Sequence, residues 1–528
     1  MTRKDPLFAD YVVIGAGSSG CVVANRLSEN PSCTVLVVEA GGWDTRQEIH
    51  EVSLASTLAL WNADWHTSID WGYETAPQEH LAGRRIPIAR GKVVGGCGSI
   101  NALMWVRGNP GDYRRWAESG AKGWSFDEVL PYFQRCENYL GSPSNWRGLA
   151  GPITIWEHAN LTPVARAFLH ATRELGYGAT DRDYNGPVQE GFGFPYQANR
   201  TRSGSRCSTA TGYLHPILDR TNLAVLTCAQ ATRLVFRDDK VAEVEYLEDG
   251  QLQSVVVGEG VVVCGGTFET PKLLMLSGIG PAAQLKAHDL NCRHDSPAVG
   301  QNLQDHLFLG VVYASKLANP EAELISEVGL FARTAVQDAF SPPGLQMTFG
   351  TGKFLPLNSA PDHASGPGFT FGPVLIQPKS RGQVRLASAD PRHNTEVQPC
   401  YLSDPADADV LVEGIELARR LAHSTAFAEF RGAELAPGAR LTTGRELRGF
   451  VASAATTIWH PVGTCRMGSD DNSVVDSTLR VRGTENVWVA DASVMPSITA
   501  GNTHAPSVMI GERAAEFIKE TRETHATH

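Results

Sequence analysis

A glycine-rich turn near the start of the chain has the residue types and spacing of a dinucleotide-binding site. Three glycines form a GxGxxG pattern directly after the apolar run 11–14, and Glu39 closes the next apolar run, about 20 residues later. Such glycines let the backbone turn sharply and approach a pyrophosphate at the N-terminus of the following helix, while the carboxylate accepts hydrogen bonds from a ribose. The residues predicted to hold the dinucleotide here are Gly15, Gly17, Ser18, Ser19, Gly20, Glu39 and Ala40.

The elements that must position this turn can be predicted from the surrounding pattern. The run 11–14 is typical of a buried strand, and a helix is predicted from Gly20 to about Leu27, before Asn30-Pro31 stops it. The motif lies close to the N-terminus and Glu39 is followed by Ala-Gly-Gly, which resembles the FAD-binding version of the fold. A nicotinamide enzyme could share these first strands, so this motif alone does not choose the cofactor.

Later stretches predict further elements. Glu248-Asp249-Gly250 indicates a hairpin between strands at 241–246 and 253–257. A buried strand at 261–264 then delivers Gly265 to the cofactor. Asp404-Pro405 predicts the start of a helix that runs through Leu421.

Six ordered motifs along the chain closely resemble those of the glucose–methanol–choline (GMC) family of FAD-dependent oxidoreductases. The stretch 90–101, from Arg90-Gly91-Lys92 to Ser99-Ile100-Asn101, is similar to the first family signature. The stretch 265–280 is similar to the second signature. The other matching runs are 299–306, 459–468, 490–496 and 501–506.

The resemblance implies an α/β fold with a Rossmann-like FAD-binding domain and an α+β substrate domain built on an antiparallel sheet. The FAD-binding domain is expected to be discontinuous, and the expected ranges are 1–150, 216–314 and 456–528. The substrate-binding domain is expected to comprise 151–215 and 315–455.

Alcohol oxidation by a flavin removes a hydride from carbon and a proton from oxygen, so the protein must supply a base. A water-like hydroxyl has a pKa near ~15.7 and an imidazole near ~6.5. The gap of about nine units corresponds to roughly 12 kcal/mol for a free alkoxide. The proton and hydride must therefore leave together, or a second donor must stabilise the oxygen.

Two histidines match the catalytic pair of the family. The resemblance places His460 at the base position and His504 at the second position, where choline-oxidising members carry Asn. A histidine there is more similar to aryl-alcohol and sugar oxidases than to choline enzymes. His306 also falls in a family run, but we expect it to be an ordinary packed histidine.

The resemblance also implies the flavin contacts. Asn101, Ala102 and Leu103 are expected beside the isoalloxazine and phosphates, and Ala231 at the adenine. The remaining expected cofactor-binding residues are Arg90, Val94, Gly96, Cys97, Gly265, Asp491, Ala492, Asn502 and Thr503. Ile100 stands where some members attach FAD through a histidine, so we expect FAD to be noncovalent. A thiol packed in the phosphate loop is the expected state of Cys97.

Helical spacing after Pro506 predicts a helix that starts just after His504. By resemblance, its positive end points at the flavin pyrimidine ring, where reduced flavin is negatively charged. A core helix without that electrostatic role is the alternative.

Tryptophans mark the expected substrate wall. Trp459 precedes the base, and Trp65 lies with Trp61 and Trp71 in a loop that the family places over the cofactor. Aromatic side chains there suit an apolar or aromatic primary alcohol, although ordinary packing explains them equally well.

The leading hypothesis is an FAD-dependent oxidation of a primary alcohol to an aldehyde, with hydride transfer to flavin N5 and a histidine base. Oxygen or another acceptor would then reoxidise the flavin. Alternatives are a choline-type or other dehydrogenase with a non-oxygen acceptor, a non-redox member such as a hydroxynitrile lyase, a light-driven decarboxylase and a non-catalytic flavin module.

Composition is consistent with this hypothesis. The chain has 528 residues, 42% hydrophobic and 20% charged, which is typical of a globular protein of more than one structural unit. A net charge of −11 argues against nucleic acid or an anionic membrane as a partner. We found no signal region, membrane-spanning run or cysteine spacing of a metal site, and ten cysteines without an export signal suggest reduced thiols. A cytoplasmic location is therefore expected.

Overall fold

The structure is a computed structural model that describes residues 7–62, 69–179, 182–338, 341–356, 359 and 361–526. Its helices are α1 (Gly20–Leu27), α2 (Gln47–His50), α3 (Leu54–Asn62), α4 (Pro110–Glu118), α5 (Phe126–Cys136), α6 (Pro163–Glu174), α7 (Gly266–Leu276), α8 (Ala282–Ala287), α9 (Pro405–Ala422), α10 (Gly444–Ala454) and α11 (His504–Ala526). Its strands are β1 (Leu7–Ile14), β2 (Val35–Val38), β3 (Tyr73–Glu74), β4 (Pro87–Ile88), β5 (Glu137–Tyr139), β6 (Ile153–Glu157), β7 (Gly193–Pro195), β8 (Gln197–Asn199), β9 (Leu223–Leu226), β10 (Ala229–Arg237), β11 (Lys240–Glu248), β12 (Gln251–Val263), β13 (Ile279–Gly280), β14 (His294–Asp295), β15 (Leu307–Phe308), β16 (Val311–Ser315), β17 (Val328–Ala332), β18 (Leu345–Gly350), β19 (Gly368–Leu375), β20 (Gln383–Arg385), β21 (Glu396–Gln398), β22 (Arg431–Ala436), β23 (Thr456–Thr457) and β24 (Val487–Val489).

The first large sheet carries the glycine turn. Its strands follow the order β10-β11-β12-β1-β2-β9, with β24 beside the end of β12. Strands β9, β2, β1, β12 and β24 are parallel, and the residues of β2 and β24 are all buried. Parallel strands covered on both faces are expected to be continuous apolar runs, as these are. Their carboxyl ends therefore converge on one edge, where the glycine turn lies.

Several predicted elements are confirmed. Helix α1 has the predicted bounds, and α9 begins at Pro405 with the Asp404 side chain accepting a hydrogen bond from Ala406 N. The predicted hairpin joins β11 to β12, with Asp249 and Gly250 both at positive φ. Two central residues at positive φ make the turn that matches the twist of a β-hairpin.

The second large sheet is antiparallel and follows the order β22-β16-β19-β18-β17-β7, with β15 pairing with β19 and β23. Side chains on β18 alternate between its two faces, as a strand requires. Leu345, Met347 and Phe349 belong to an apolar core with α6 and α9. Gln346 and Thr348 line a cavity on the opposite face. One face of this sheet is thus core and the other is the wall of a site.

The α/β fold class, with a Rossmann-like unit and a second unit built on an antiparallel sheet, is confirmed. Strands β15 and β23 pair with the second sheet although both lie in ranges predicted for the FAD-binding domain. The predicted domain boundaries stay a prediction. Within the described part of the chain, none of the helices has both the length and the apolar composition needed to span a bilayer.

Candidate active site

Two adjoining hollows lie between the sheets. The first, which we call the dinucleotide cleft, runs along the carboxyl ends of the parallel strands from Gln230 and Glu39 to Ala492. The second, which we call the histidine cavity, has a volume of about 300 Å³ and contains His460 and His504. Ser18, Arg90, Cys97, Ala492 and Ser507 line both. A ligand can therefore extend from one into the other.

Glycine is required at two positions of the turn that opens the cleft. A Cβ on Gly20 would lie 1.8 Å from Gly15 O, and a Cβ on Gly15 would lie 2.6 Å from Cys264 O. Gly15 also has a φ of +97°, which side chains rarely adopt. The turn is thus pressed against the end of β12, which leaves its outer face open toward the cleft.

Glu39 is buried at the end of β2 and holds the turn together. Its carboxylate oxygens accept hydrogen bonds from Ala16 N at 2.7 Å and Gly41 N at 2.8 Å. Burial raises its pKa, and the two backbone N–H donors oppose that effect. Each carboxylate oxygen retains a lone pair for a ribose hydroxyl.

A second glycine-rich loop closes over the first. Gly95 N donates to Ala16 O at 2.7 Å, and a Cβ on Gly96 would lie 2.8 Å from Gly17 Cα. Residues 96–99 then form a 3₁₀ turn that carries Cys97 to both hollows. Backbone N–H groups from two glycine turns beside a buried carboxylate fit the pyrophosphate and ribose of a dinucleotide.

Most of the predicted cofactor residues come together here. Those that line the dinucleotide cleft are Gly15, Gly17, Ser18, Ser19, Glu39, Ala40, Arg90, Gly96, Cys97, Ala231, Gly265, Asp491 and Ala492. Those that line the histidine cavity are Asn101, Ala102, Asn502 and Thr503, with Ser18, Arg90, Cys97 and Ala492 shared.

Three predicted cofactor residues lie outside both linings. Gly20 supports the turn from behind, as its contact with Gly15 shows. Val94 is buried and its N–H donates to Gly42 O, while Leu103 N donates to Asn101 Oδ1 and Leu103 O accepts from Asn199 N. These backbone groups of Val94 and Leu103 already form hydrogen bonds within the protein. Direct cofactor contact by the three stays a prediction.

His460 is half-buried in the wall of the histidine cavity, directly after a strained turn residue. Trp459 has a φ of +63°, and the Asp305 carboxylate accepts the His460 N–H at 2.8 Å. The same carboxylate accepts the hydroxyls of Tyr401 and Thr457, each at 2.5 Å. A residue held by several hydrogen bonds in a rarely populated φ/ψ region is common at functional sites. The Asp305 carboxylate thus fixes where the imidazole of His460 sits.

The ring of His460 has two close polar neighbours. Its Nδ1 lies 3.0 Å from His306 Nδ1, and its Nε2 lies 3.3 Å from Asn502 Nδ2. Burial lowers its pKa well below the usual value, and electrostatic repulsion of its protonated form by His306 and Arg90 adds to that effect. His460 is therefore neutral at pH 7, as a base must be.

His504 is the first residue of α11, so this helix begins at the histidine rather than just after it. Its Nδ1 lies 3.0 Å from Ser18 Oγ, and its ring packs edge-on against Trp105. Burial lowers its pKa to about 4, with a further contribution from Arg206. The N-terminus of α11 thus lies at the histidine cavity, where Asn502, Thr503 and His504 form the wall.

The predicted tryptophan wall is divided between the two hollows. Trp61 and Trp459 line the histidine cavity with ring centroids 5.0 Å apart, whereas Trp71 lines the dinucleotide cleft. Trp65 lies outside the described residues. Ile100, which we expected at the position of covalent attachment, lines the histidine cavity.

Sequence reasoning gave too little weight to the residues behind His460. We expected His306 to be an ordinary packed histidine, but it contacts the ring of His460. Asp305 stands beside it in the same family run and holds the turn, and Gln346 Nε2 donates to Asn502 Oδ1 at 3.5 Å. The Asp-His pair at 305–306 was the only available signal. No local sequence pattern predicted a role for Gln346.

Comparison with known proteins agrees with this geometry. Two sequence models described as GMC oxidoreductase match residues 9–308 and 378–511. The chain is 38% identical over 533 residues to the alcohol dehydrogenase [acceptor] of Pseudomonas putida, covering 96% of this chain and 95% of that protein. It is 37% identical over 538 residues to the oxygen-dependent choline dehydrogenase of Sinorhizobium fredii, covering 97% and 95%.

A solved structure is also similar over the whole chain. The crystal structure of pyridoxine 4-oxidase from Mesorbium loti superposes with a TM-score of 0.90 at 34% identity, covering 98% of this chain and 100% of that one. With glycine turns, a buried ribose carboxylate and an adjoining histidine pair all in place, the chain belongs to the GMC oxidoreductase family, and is an FAD-dependent enzyme that acts on CH–OH donors.

Proposed function

We propose that this enzyme oxidises uncharged, apolar or aromatic primary alcohols to aldehydes, with His460 as the base. The observation that carries the proposal is the histidine cavity itself. It opens into the dinucleotide cleft, holds a neutral imidazole, and is otherwise largely apolar. FAD, when bound, supplies the hydride acceptor.

The protein's own task is to take the hydroxyl proton. His460 Nε2 lies on the side of Asn502, which also lines the cavity, so an alcohol placed there can give its proton to this nitrogen. His504 lines the same cavity and is the candidate for the second group that stabilises the oxygen. The low pKa of His460 keeps it available as a proton acceptor across the neutral range, and a neutral His504 still has one ring N–H to donate.

The walls of the cavity support the choice of substrate class. Its apolar side chains include Met104, Phe308, Ile325, Phe354 and Val374. Among the described residues that line it, none is Asp or Glu, and Arg90 contributes positive charge. A cationic alcohol such as choline would lose its hydration without a carboxylate partner. A benzyl-type alcohol gains contact area instead.

Further parts of the proposal concern the cofactor and the acceptor. We propose that FAD is held noncovalently, since Ile100 offers no nucleophile at the attachment position. Oxygen or another oxidant would reoxidise the flavin. The cytoplasmic location remains a prediction.

The test is a panel of alcohols at matched concentrations, comprising benzyl alcohol, 4-methoxybenzyl alcohol, hexan-1-ol and choline. Aldehyde is quantified in air with peroxide detection, and again without oxygen in the presence of dichlorophenolindophenol. We expect kcat/KM for benzyl alcohol to exceed that for choline at least about 100-fold, which corresponds to about 3 kcal/mol. Choline as the best substrate would contradict the proposed substrate class.

A further inference from the structure

His306 and His460 face each other through the same ring nitrogen. Their Nδ1 atoms lie 3.0 Å apart, the rings are at 84° to each other, and His306 has no exposed surface. A neutral imidazole carries one N–H and one lone pair. A contact between two Nδ1 atoms is a hydrogen bond only if one histidine is protonated there and the other is not.

The outer side of His306 indicates which of the two donates. Its Nε2 is buried without a hydrogen bond of good geometry in the described part of the chain. The backbone at Ile376 and Thr499 raises its pKa, as carbonyl oxygens facing a ring N–H do, although burial lowers that pKa overall to about 3. Nδ1 of His306 already faces His460, so Nε2 is the ring nitrogen left to face these carbonyl oxygens, and a proton on Nε2 is compatible with that arrangement. Its Nδ1 is then the acceptor.

The opposite end of the network agrees. Asn502 Oδ1 accepts from Gln346 Nε2 at 3.5 Å, and the same Gln346 nitrogen donates to Tyr196 OH at 2.7 Å. Asn502 Nδ2 is thereby turned to His460 Nε2, at 3.3 Å. An amide N–H donates, so it requires a lone pair on that Nε2. The amide end therefore assigns the tautomer of His460, and the His306 end is compatible with it.

We propose that His306 is a positioning residue that holds His460 as the Nδ1–H tautomer, with the lone pair of Nε2 directed to the cavity side. The proposal rests on the proposed role of His460 as base. In the step it supports, the O–H bond of the alcohol breaks and its proton joins Nε2, while the proton on Nδ1 stays hydrogen-bonded to His306. The positive charge then lies on the ring of His460, and the hydrogen-bond partner of its Nδ1, His306, is neutral.

No carboxylate performs this task in the part of the chain that the structure describes. The Asp305 carboxylate contacts the backbone N–H groups of His306 and His460 but forms no ion pair with either ring. The other charged or titratable groups around His460 are Arg90 and, on the same cavity wall, His504. Replacing His306 changes none of these groups directly, so its effect can be separated from theirs.

The test compares H306N with H306L. Both variants remove the titratable ring, but the Asn carbonyl can still accept the Nδ1–H of His460 whereas Leu has no acceptor. We expect kcat/KM for benzyl alcohol to be at least about tenfold lower in H306L than in H306N. Because an acceptor stabilises the protonated base, the acid limb of the pH profile should lie at lower pH in H306L. FAD content and KM should be similar in the two variants.

A control replaces His288 by Asn. His288 lies elsewhere in the protein and contacts Leu386 O, so this variant shows the effect of losing a histidine that is packed against backbone.

Equal kcat/KM values and identical acid limbs in H306N and H306L would overturn the positioning role. If H306L does not accumulate as a folded yellow protein, ¹⁵N-histidine NMR of the wild-type enzyme decides, with H460Q assigning the signal. A proton on His460 Nδ1 supports the proposal, and a proton on Nε2 refutes it. Full activity of H460A would show instead that the proposed base is wrong, whatever His306 does.

Discussion

Ser18 Oγ lies 3.0 Å from His504 Nδ1, so a residue of the glycine turn touches the second active-site histidine across 486 positions of sequence. Ser18 lines both the dinucleotide cleft and the histidine cavity. The glycine turn and the wall of the histidine cavity are therefore in direct contact. A substitution in the glycine turn is therefore expected to change the position of His504.

Replacing Ser18 by Ala should lower kcat more than it lowers FAD affinity. The hydroxyl orients His504, and the loss of one such hydrogen bond is worth about 0.5–1.5 kcal/mol, or roughly a 2- to 12-fold decrease in kcat. FAD titration and steady-state kinetics on the same preparation measure both quantities. A decrease confined to FAD affinity would show that Ser18 serves the cofactor alone.

A substitution at Gly98 also tests the contact between Ser18 and His504. A Cβ at this position would lie 2.9 Å from His504 Cε1 and 3.4 Å from Ser18 Oγ, so G98A must displace the imidazole. We expect G98A to lower kcat at least about tenfold, since small misplacements of a catalytic group are costly. Gly449 has open space around its Cα, so G449A is the matched control with unchanged kinetics. Wild-type kcat in G98A would mean that the position of His504 is unimportant.

The pH dependence of activity should lack the usual histidine transition near pH 6.5. Both histidines have lowered pKa values, that of His504 falling to about 4, so the neutral forms persist into acid. We expect kcat/KM to stay level from pH 8 to about 5.5 and to fall only below that. A loss of half the activity near pH 6.5 would contradict the burial argument.

Stability should change in the same pH range with a defined sign. Below pH 6.5 the unfolded chain binds protons that the buried histidines do not, so the contribution of these histidines to the free energy of unfolding becomes less favourable as the pH falls. The lowered pKa of His504 should by itself decrease the free energy of unfolding by about 2 kcal/mol between pH 7 and pH 5, because one pKa unit corresponds to about 1.36 kcal/mol. Urea unfolding of the wild type and of H504N at the two pH values isolates this contribution, and the same pH dependence in both proteins would refute it.

The flavin should be released without breaking a covalent bond. Ile100, the residue that the family resemblance predicts at the attachment position, lines the histidine cavity and carries no nucleophile. Acid precipitation should leave a colourless pellet with all FAD in the supernatant. Yellow colour retained in the washed pellet would disprove noncovalent binding.

Local sequence patterns predicted the glycine turn, Glu39 and the first helix because their geometry depends on neighbours within about 30 residues. Family motifs placed His460 and His504 in one cavity. The contact of His306 with His460 joins two runs 154 positions apart, and no local pattern gives the direction of either ring. Val94 and Leu103 illustrate the same point, because the hydrogen bonds of their backbone groups to Gly42 and Asn199 join distant parts of the chain. What the sequence left open is set by long-range packing.

The most direct test of the account is anaerobic mixing of the FAD-loaded enzyme with benzyl alcohol, comparing wild type with H460A. A positioned base contributes about 10²–10⁴ in rate, so H460A should bleach its flavin that much more slowly while retaining full FAD content. Flavin reduction in H460A within tenfold of the wild-type rate would contradict the claim that His460 takes the proton.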